Sequence, residues 1–429
     1  MNNKSVFLEL SDFDKNILNY ISYLIILLPI LVVTGPFLPD LVISLSALLF
    51  IYINFKYRSW RAYINKLSIV YFSWCLYLII RSIFSADPFL SLESSLFYWR
   101  FGLFTLLTVF LLNFNIFIKD YFLYSLLFVF IILIIDGYYQ YINGINLLGY
   151  EYDNRLGSLF GDELVLGNFL SRLFPLLFAL IIFKKFQKNF LIYLTLILFI
   201  LTDVLVYVAG ERLAIANLLI GSIFIILLIN KYKYLRLLSL IVSILIMVII
   251  SLNNDVVKSR VIDKTINDLN IKNGNPSYII SSNYEDMFKT AGQIFKDNPI
   301  YGVGPKIYRI ECEKEQYKIY KQGCSTHPHN IYLQLLSEAG IVGILPIIIL
   351  FLFLIYTSFK HAVNLYIRKS SSLSDEQVCL IASLIVTLWP FAPSFNFFGN
   401  WISVIYYLPL PFLLHSMNIY KTESITHEK

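Results

Sequence analysis

Apolar runs close to the length of a membrane-crossing helix recur from one end of this chain to the other, and no other feature restricts its fold so strongly. A crossing takes about 20 apolar residues in helical form, because lipid offers no partner to a free backbone N–H or C=O. Runs near that length lie at 17–34, 38–54, 67–84, 96–118, 121–142, 164–183, 190–209, 213–229, 237–252, 341–359, 376–395 and 401–417. The expected fold is all-α, a polytopic integral membrane protein of about twelve transmembrane helices. Composition agrees: 58% of the 429 residues are hydrophobic and 14% charged, more apolar surface than a soluble core absorbs. Aromatics reach 17%, as expected where tyrosines anchor helices at headgroup depth. The first run has no small-residue cleavage site after it and reads as a retained helix.

The net charge of +6 does not point to nucleic acid, because the basic residues fall in short clusters between apolar runs. Lys56, Arg58, Arg61 and Lys66 form one cluster; Lys184, Lys185 and Lys188 a second; Lys231, Lys233 and Arg236 a third; Lys360, Arg368 and Lys369 a fourth. Simple alternation of spans puts all of them on one side, which the positive-inside rule makes the cytoplasm. Both termini then lie there, and the opposite side receives the loops near 85–95, 143–163, 210–212, 253–340 and 396–400.

The segment 253–340 is the one long polar stretch, and connections of such length seldom serve only to connect. Tyr284, Phe288, Ala291 and Phe295 have helical spacing, which suits either an amphipathic helix on the membrane surface or the core of a small soluble cap. Cys75 and Cys379 fall inside spans, where a thiol is a small buried apolar group. Cys312 and Cys324 flank a polar run and are candidates for a disulfide in an oxidising compartment. A metal site made with His327 and His329 is the competing reading, although the spacing fits no usual zinc motif.

Functional residue types are densest from Cys324 to Gly343. Pro328 disfavours helix at His327, so a helix should start near His329, with Asn330 and Gln334 in its first turns. An imidazole at the membrane boundary can take a proton from a hydroxyl nucleophile near neutral pH. Arg212, between two apolar runs in Gly210-Glu211-Arg212, is costly to keep there unless it is paired or functional. An ion pair with Glu211 is the plainer account of it.

The pattern His329-Asn330, then Gly340-Ile341-Val342-Gly343, resembles the signature of the O-antigen ligase and polymerase superfamily. Asp297-Asn298-Pro299-Ile300-Tyr301-Gly302-Val303-Gly304 looks like that family's segment before the histidine motif. Arg155-Leu156-Gly157-Ser158-Leu159-Phe160-Gly161-Asp162-Glu163 looks like its earlier external loop, and Gly210-Glu211-Arg212 like its short arginine-bearing turn. The chain departs from the pattern at 282–288, where a second phosphate-binding arginine is expected and none occurs.

The resemblance implies a GT-C-like membrane glycosyltransferase: residues 1–252 carrying nine spans, 253–340 a periplasmic catalytic loop, and 341–429 the last three spans and a cytoplasmic tail. It implies an undecaprenyl-diphosphate-linked glycan as donor and a sugar hydroxyl of lipid A-core or a similar glycan as acceptor. The cell inner membrane is the implied location. His329 and Arg212 are the implied catalytic pair, with Arg260, Arg309, Arg155, His327, Asn330 and Gln334 as substrate-binding candidates. Arginine suits a diphosphate because its planar fork donates in pairs and stays charged. The scheme calls for no metal and no cofactor, and its partners are lipids and glycans, with no nucleic acid. A repeat-unit polymerase on the same carrier is the alternative enzyme. A twelve-span transporter or flippase is the alternative of another class, disfavoured because the polar residues gather in one loop with no paired halves.

Overall fold

The computed structural model describes residues 9–115, 117–184, 189–269, 281–318, 320 and 322–420. The chain runs α1 (Asp12–Val33), α2 (Phe37–Lys56), α3 (Lys66–Ile83), α4 (Pro88–Ser95), α5 (Trp99–Phe114), α6 (Phe117–Asn143), α7 (Leu166–Lys184), α8 (Asn189–Val208), α9 (Arg212–Leu228) and α10 (Lys233–Asn253). It continues with α11 (Asp255–Lys258), α12 (Lys264–Leu269), α13 (Ser282–Asp297), α14 (Tyr308–Glu311), α15 (Ile331–Tyr366), α16 (Asp375–Thr387), α17 (Asn400–Tyr407) and α18 (Pro409–Ser416). There is no strand among the described residues. Helix starts follow local chemistry. The Ser11, Asn65 and Asp87 side chains accept from backbone N–H groups of the first turns of α1, α3 and α4, and Ser374 with Gln377 closes a capping box on α16.

The protein is a multi-pass membrane protein. Among the described residues nine helices are long and apolar enough to cross, with α9 a shorter apolar helix, so length and composition alone account for nine of the twelve expected spans. The shortfall has a local cause. The run 376–395 stops being helical at Thr387, ahead of Pro390 and Pro393, and the run 401–417 is divided between α17 and α18 at Pro409. Proline lacks the N–H that continues a helix, which an average of hydropathy does not register.

At the centre stands α7, buried over 94% of its apolar window and packed by α6, α8, α9 and α16. Small residues let backbones approach there: a Cβ on Gly167 would sit 3.1 Å from that of Ala214, and one on Gly221 would sit 3.5 Å from Pro175. Arg236, one of the basic cluster read between two apolar runs, lies inside the bundle. It is fully buried, its guanidinium bidentate to Asp203 (2.7 and 3.0 Å), with Ser222 and Ser239 as further acceptors and the Phe174 ring 4.4 Å away. The pair removes the cost of burying either charge alone. Lys185 and Lys188 lie outside the described residues.

The described residues of the segment 281–330 form a cap with its own small core of Ala291, Ile294, Val303, Ile307, Tyr308, Cys312 and Tyr317. Of the four residues whose spacing marked α13, Ala291 alone is buried, and the helix packs on α15. Cys312 and Cys324 are joined, Cα to Cα 5.2 Å, while Cys75 and Cys379 are free and buried. Cys312→Ser is expected to cost the cap roughly 3 kcal/mol. Hydrogen exchange over 281–330 measures this, and protection equal to wild type would show that the bond contributes nothing.

The helix expected to start near His329 starts at Ile331 and runs on through the apolar run 341–359, interrupted at Gly340 (φ 64°, ψ −169°). The turn 298–304 fills the interruption. Val303 N–H donates to Ser337 (3.0 Å), Gly304 N–H to Glu338 (2.7 Å), Ile341 N–H to the Pro299 carbonyl (2.9 Å) and Val342 N–H to that of Ile300 (3.3 Å). A Cβ on Gly340 would overlap the Ile300 carbonyl, and one on Gly302 would overlap Glu338 and Ala339 backbone. One face of α3 secures the joint: Trp74 Nε1 donates to Gly343 (2.7 Å), the Tyr77 hydroxyl to Ala339 (2.6 Å) and Arg81 Nε to Gly302 (2.9 Å).

Candidate active site

Two groups of the sequence candidates come together at the loop side of the bundle. The first surrounds the turn between α8 and α9. Gly210 has φ +72°, which suits glycine, and a Cβ there would crowd Arg260 Cγ (3.1 Å) and Arg155 Cγ (3.5 Å). Arg260 Nε donates to the Gly210 carbonyl (3.3 Å), and Arg155 lies 3.6 Å from the Glu211 carboxylate. Arg212 does not pair with Glu211. It binds Asp268 of α12 at 2.6 Å and reaches the Thr265 hydroxyl at 3.4 Å. Burial, and then the nearby cations Arg155 and Arg212, push the Arg260 guanidinium below its ordinary value.

Glu211 is the buried counterweight of this cluster. Its carboxylate accepts from Gly167 N–H (2.7 Å), Asn168 N–H (3.3 Å) and the Asn168 side-chain amide, so it closes the exposed start of α7. Burial pushes its carboxyl up, against the opposing pull of Arg155 and those donors.

The second group is the start of α15. Asn330 caps the helix, accepting from Tyr332 and Leu333 N–H, and its amide donates to Pro390 (2.8 Å) and Ala392 (3.4 Å) carbonyls. Gln334 donates to Glu338 (3.0 Å) and Asn396 (2.8 Å) and accepts from Phe397 N–H (2.9 Å). His329 sits just before the cap with φ 52°, held by Ser394 N–H on its carbonyl at 2.7 Å. The imidazoles of His327 and His329 lie 4.0 Å apart, centroid to centroid, with the Tyr284 ring 5.6 Å from His329.

The two rings differ in freedom. His327 is buried; its Nε2 lies 3.3 Å from the Ser394 carbonyl and its Nδ1 3.0 Å from the Thr326 hydroxyl. A carbonyl only accepts, so the proton belongs on Nε2 and Nδ1 accepts from Thr326. Burial, then the neighbouring His329, brings His327 down to about 3. His329 is half-buried, and burial lowers it too, partly offset by the Ser394 backbone. Both imidazoles are therefore neutral at neutral pH, the form that accepts a proton.

Arg309 belongs to this second group. Its charge acts on His327 and on Glu338. The groups connect through aromatic rings: Phe395, next to Ser394, meets Trp401 (6.4 Å), and Trp401 meets Phe160 (6.1 Å) in the loop that carries Arg155.

Residues 194–348 match the family model described as O-antigen ligase. Over this segment, about a third of its length, the chain is similar to the O-antigen ligase family. The match holds Arg212, Arg260, Arg309, His327 and His329, and it supports a membrane glycan enzyme of the ligase and polymerase kind. Arg155 and the 390–397 linker lie outside the O-antigen ligase segment. No curated protein matches the chain. Ser394 and the α3 trio Trp74, Tyr77 and Arg81 were not singled out in the sequence, and Tyr284 was read there only as part of a helical face. Arg81 carried a signal, since an arginine at the end of an apolar run is seldom idle.

Proposed function

We propose that the protein transfers a glycan from an undecaprenyl-diphosphate donor to a sugar hydroxyl of lipid A-core or a similar acceptor, at the periplasmic face of the bacterial inner membrane. The observation that carries this reading is the gathering of Arg155, Arg212 and Arg260 on the Gly210-Glu211-Arg212 turn of a chain whose other polar wall presents neutral imidazoles. In the reaction the acceptor oxygen attacks the anomeric carbon, and its proton passes to His329. The bond from that carbon to the phosphate oxygen breaks, and undecaprenyl diphosphate leaves with the electron pair. Negative charge grows on the leaving group, so arginines fixed in advance lower the barrier more than they tighten binding.

Arg212→Ala is expected to lower transfer by roughly 10²–10³, the loss typical of one preorganised charge donor, with only partial recovery in Arg212→Lys, which lacks the fork. The test is the envelope glycan profile of a deletion strain carrying wild type or variant, with membrane levels confirmed. Long glycan on lipid A-core with wild type, and polymerised glycan left on the lipid carrier with the variant, supports the ligase. Single repeat units on the core in the deletion strain would make the protein a polymerase, and full complementation by Arg212→Ala would remove that residue from the site.

A further inference from the structure

Three lysine or arginine side chains are buried among the described residues: Lys119, Arg172 and Arg236. Lys119 is paired with Glu376 and Arg236 with Asp203. Arg172, on α7 and 2% exposed, has no ion pair among the described residues, and its Nε and Nη1 have no hydrogen-bond partner among them either. Its one cationic contact is the Tyr406 ring of α17, 5.5 Å away, whose hydroxyl is also unpartnered. A guanidinium cannot shed its charge, and one buried without an anion costs several kcal/mol.

The surroundings are polar and equally unsatisfied. Asn168 precedes Arg172 by four residues and so shares its helix face; its amide is committed to Glu211 while Oδ1 has no partner. Asn217 lies on the face of α9 that meets α7, between the Gly167 to Ala214 and Pro175 to Gly221 contacts, and neither of its amide atoms has a partner among the described residues. Side chains on a helix lean toward its N-terminus, which for α7 is the end closed by Glu211, beneath the three arginines.

We propose that Arg172, with Asn168, Asn217 and Tyr406, forms an inner anion site below the Arg155, Arg212 and Arg260 cluster and takes a phosphoryl oxygen of the diphosphate donor. This rests on the donor reading given above. The outer cluster meets the diphosphate from the loop side, and Arg172 meets it from within the bundle, so the leaving group is held between two tiers of positive charge. Nothing else among the described residues neutralises Arg172, and the two free nitrogens and the Tyr406 hydroxyl suit an acceptor oxygen rather than a cation.

The test uses the full chain in lipid nanodiscs, with undecaprenyl diphosphate and inorganic pyrophosphate as separate probes, read by calorimetry and by the rise in melting temperature each gives. Wild type is expected to bind the lipid form. Arg172→Gln should bind it at least tenfold more weakly and lose most of the melting shift, and Arg172→Lys should recover part of both. An equal loss with pyrophosphate means the site takes a free diphosphate, and a loss with the lipid form alone means it needs the carried phosphate; either supports the inference. Wild-type affinity in a folded Arg172→Gln, with Arg212→Ala impaired, overturns the inner site and leaves the donor reading standing. Failure of wild type to bind either probe overturns both. If Arg172→Gln does not fold, Tyr406→Phe decides: severalfold weaker binding supports the site, and unchanged binding overturns it.

Discussion

Removing the His329 imidazole is expected to slow glycan transfer by roughly 10²–10⁴, the usual contribution of a positioned general base, or about 3 to 5 kcal/mol of barrier. The measure is product formed by purified enzyme in nanodiscs, His329→Ala against wild type. A rate within threefold would take His329 out of proton transfer. The pH profile gives a second reading. A base must be unprotonated, so the rate falls as pH drops through the His329 pKa, and burial sets that value below its ordinary one. The acid limb should therefore lie below about 6.5 and should vanish in the alanine variant. His327, already neutral down to about 3 and bonded at both nitrogens, is a positioning residue that adds no limb of its own.

Gly340→Val is expected to be the most damaging substitution outside the charged groups. The backbone there adopts a conformation open to glycine, and holding another residue in it costs about 1 to 3 kcal/mol. The added atoms would also strike the Ile300 carbonyl and Tyr301 nitrogen, for a further cost of about 1 to 3 kcal/mol. Backbone has no rotamer with which to yield, so the turn 298–304 must leave the joint, and its bonds to Ser337 and Glu338 go with it. Gly292→Ala is the control: a Cβ there meets nothing, and helix propensity favours the change by about 0.5 to 1 kcal/mol. Equal melting temperatures for Gly340→Val and wild type would refute this account of the joint.

The parts of this molecule that sequence disclosed are those whose signal is local. Apolar length located the spans, Pro328 located the start of α15 to within a few residues, and the spacing of Ala291 marked α13 as a helix. What stayed hidden depends on contacts between distant stretches. Nothing near Arg155 indicates that Arg260 will share the carbonyl side of Gly210, and nothing near Arg212 selects Asp268 over Glu211. Trp74 and Tyr77 lie in an apolar run, where aromatic rings read as lipid anchors, yet both donate to backbone carbonyls of α15 on either side of Gly340. Arg172, Asp203 and Arg236 carried a signal that hydropathy averages away: an ionisable group within or beside an apolar stretch requires a partner, and the question is which.

The linker between α16 and α17 sets a limit on modularity. Pro390, Ala392, Ser394 and Asn396 supply the atoms that orient Asn330, Gln334 and both imidazoles, yet all four follow the recognisable segment, which ends at residue 348. A cassette cut at that border would carry the histidines without the backbone that aims them. Exchange of this function between related chains therefore has to move two separated stretches together, and an alteration in the linker can silence a site that it does not belong to by sequence.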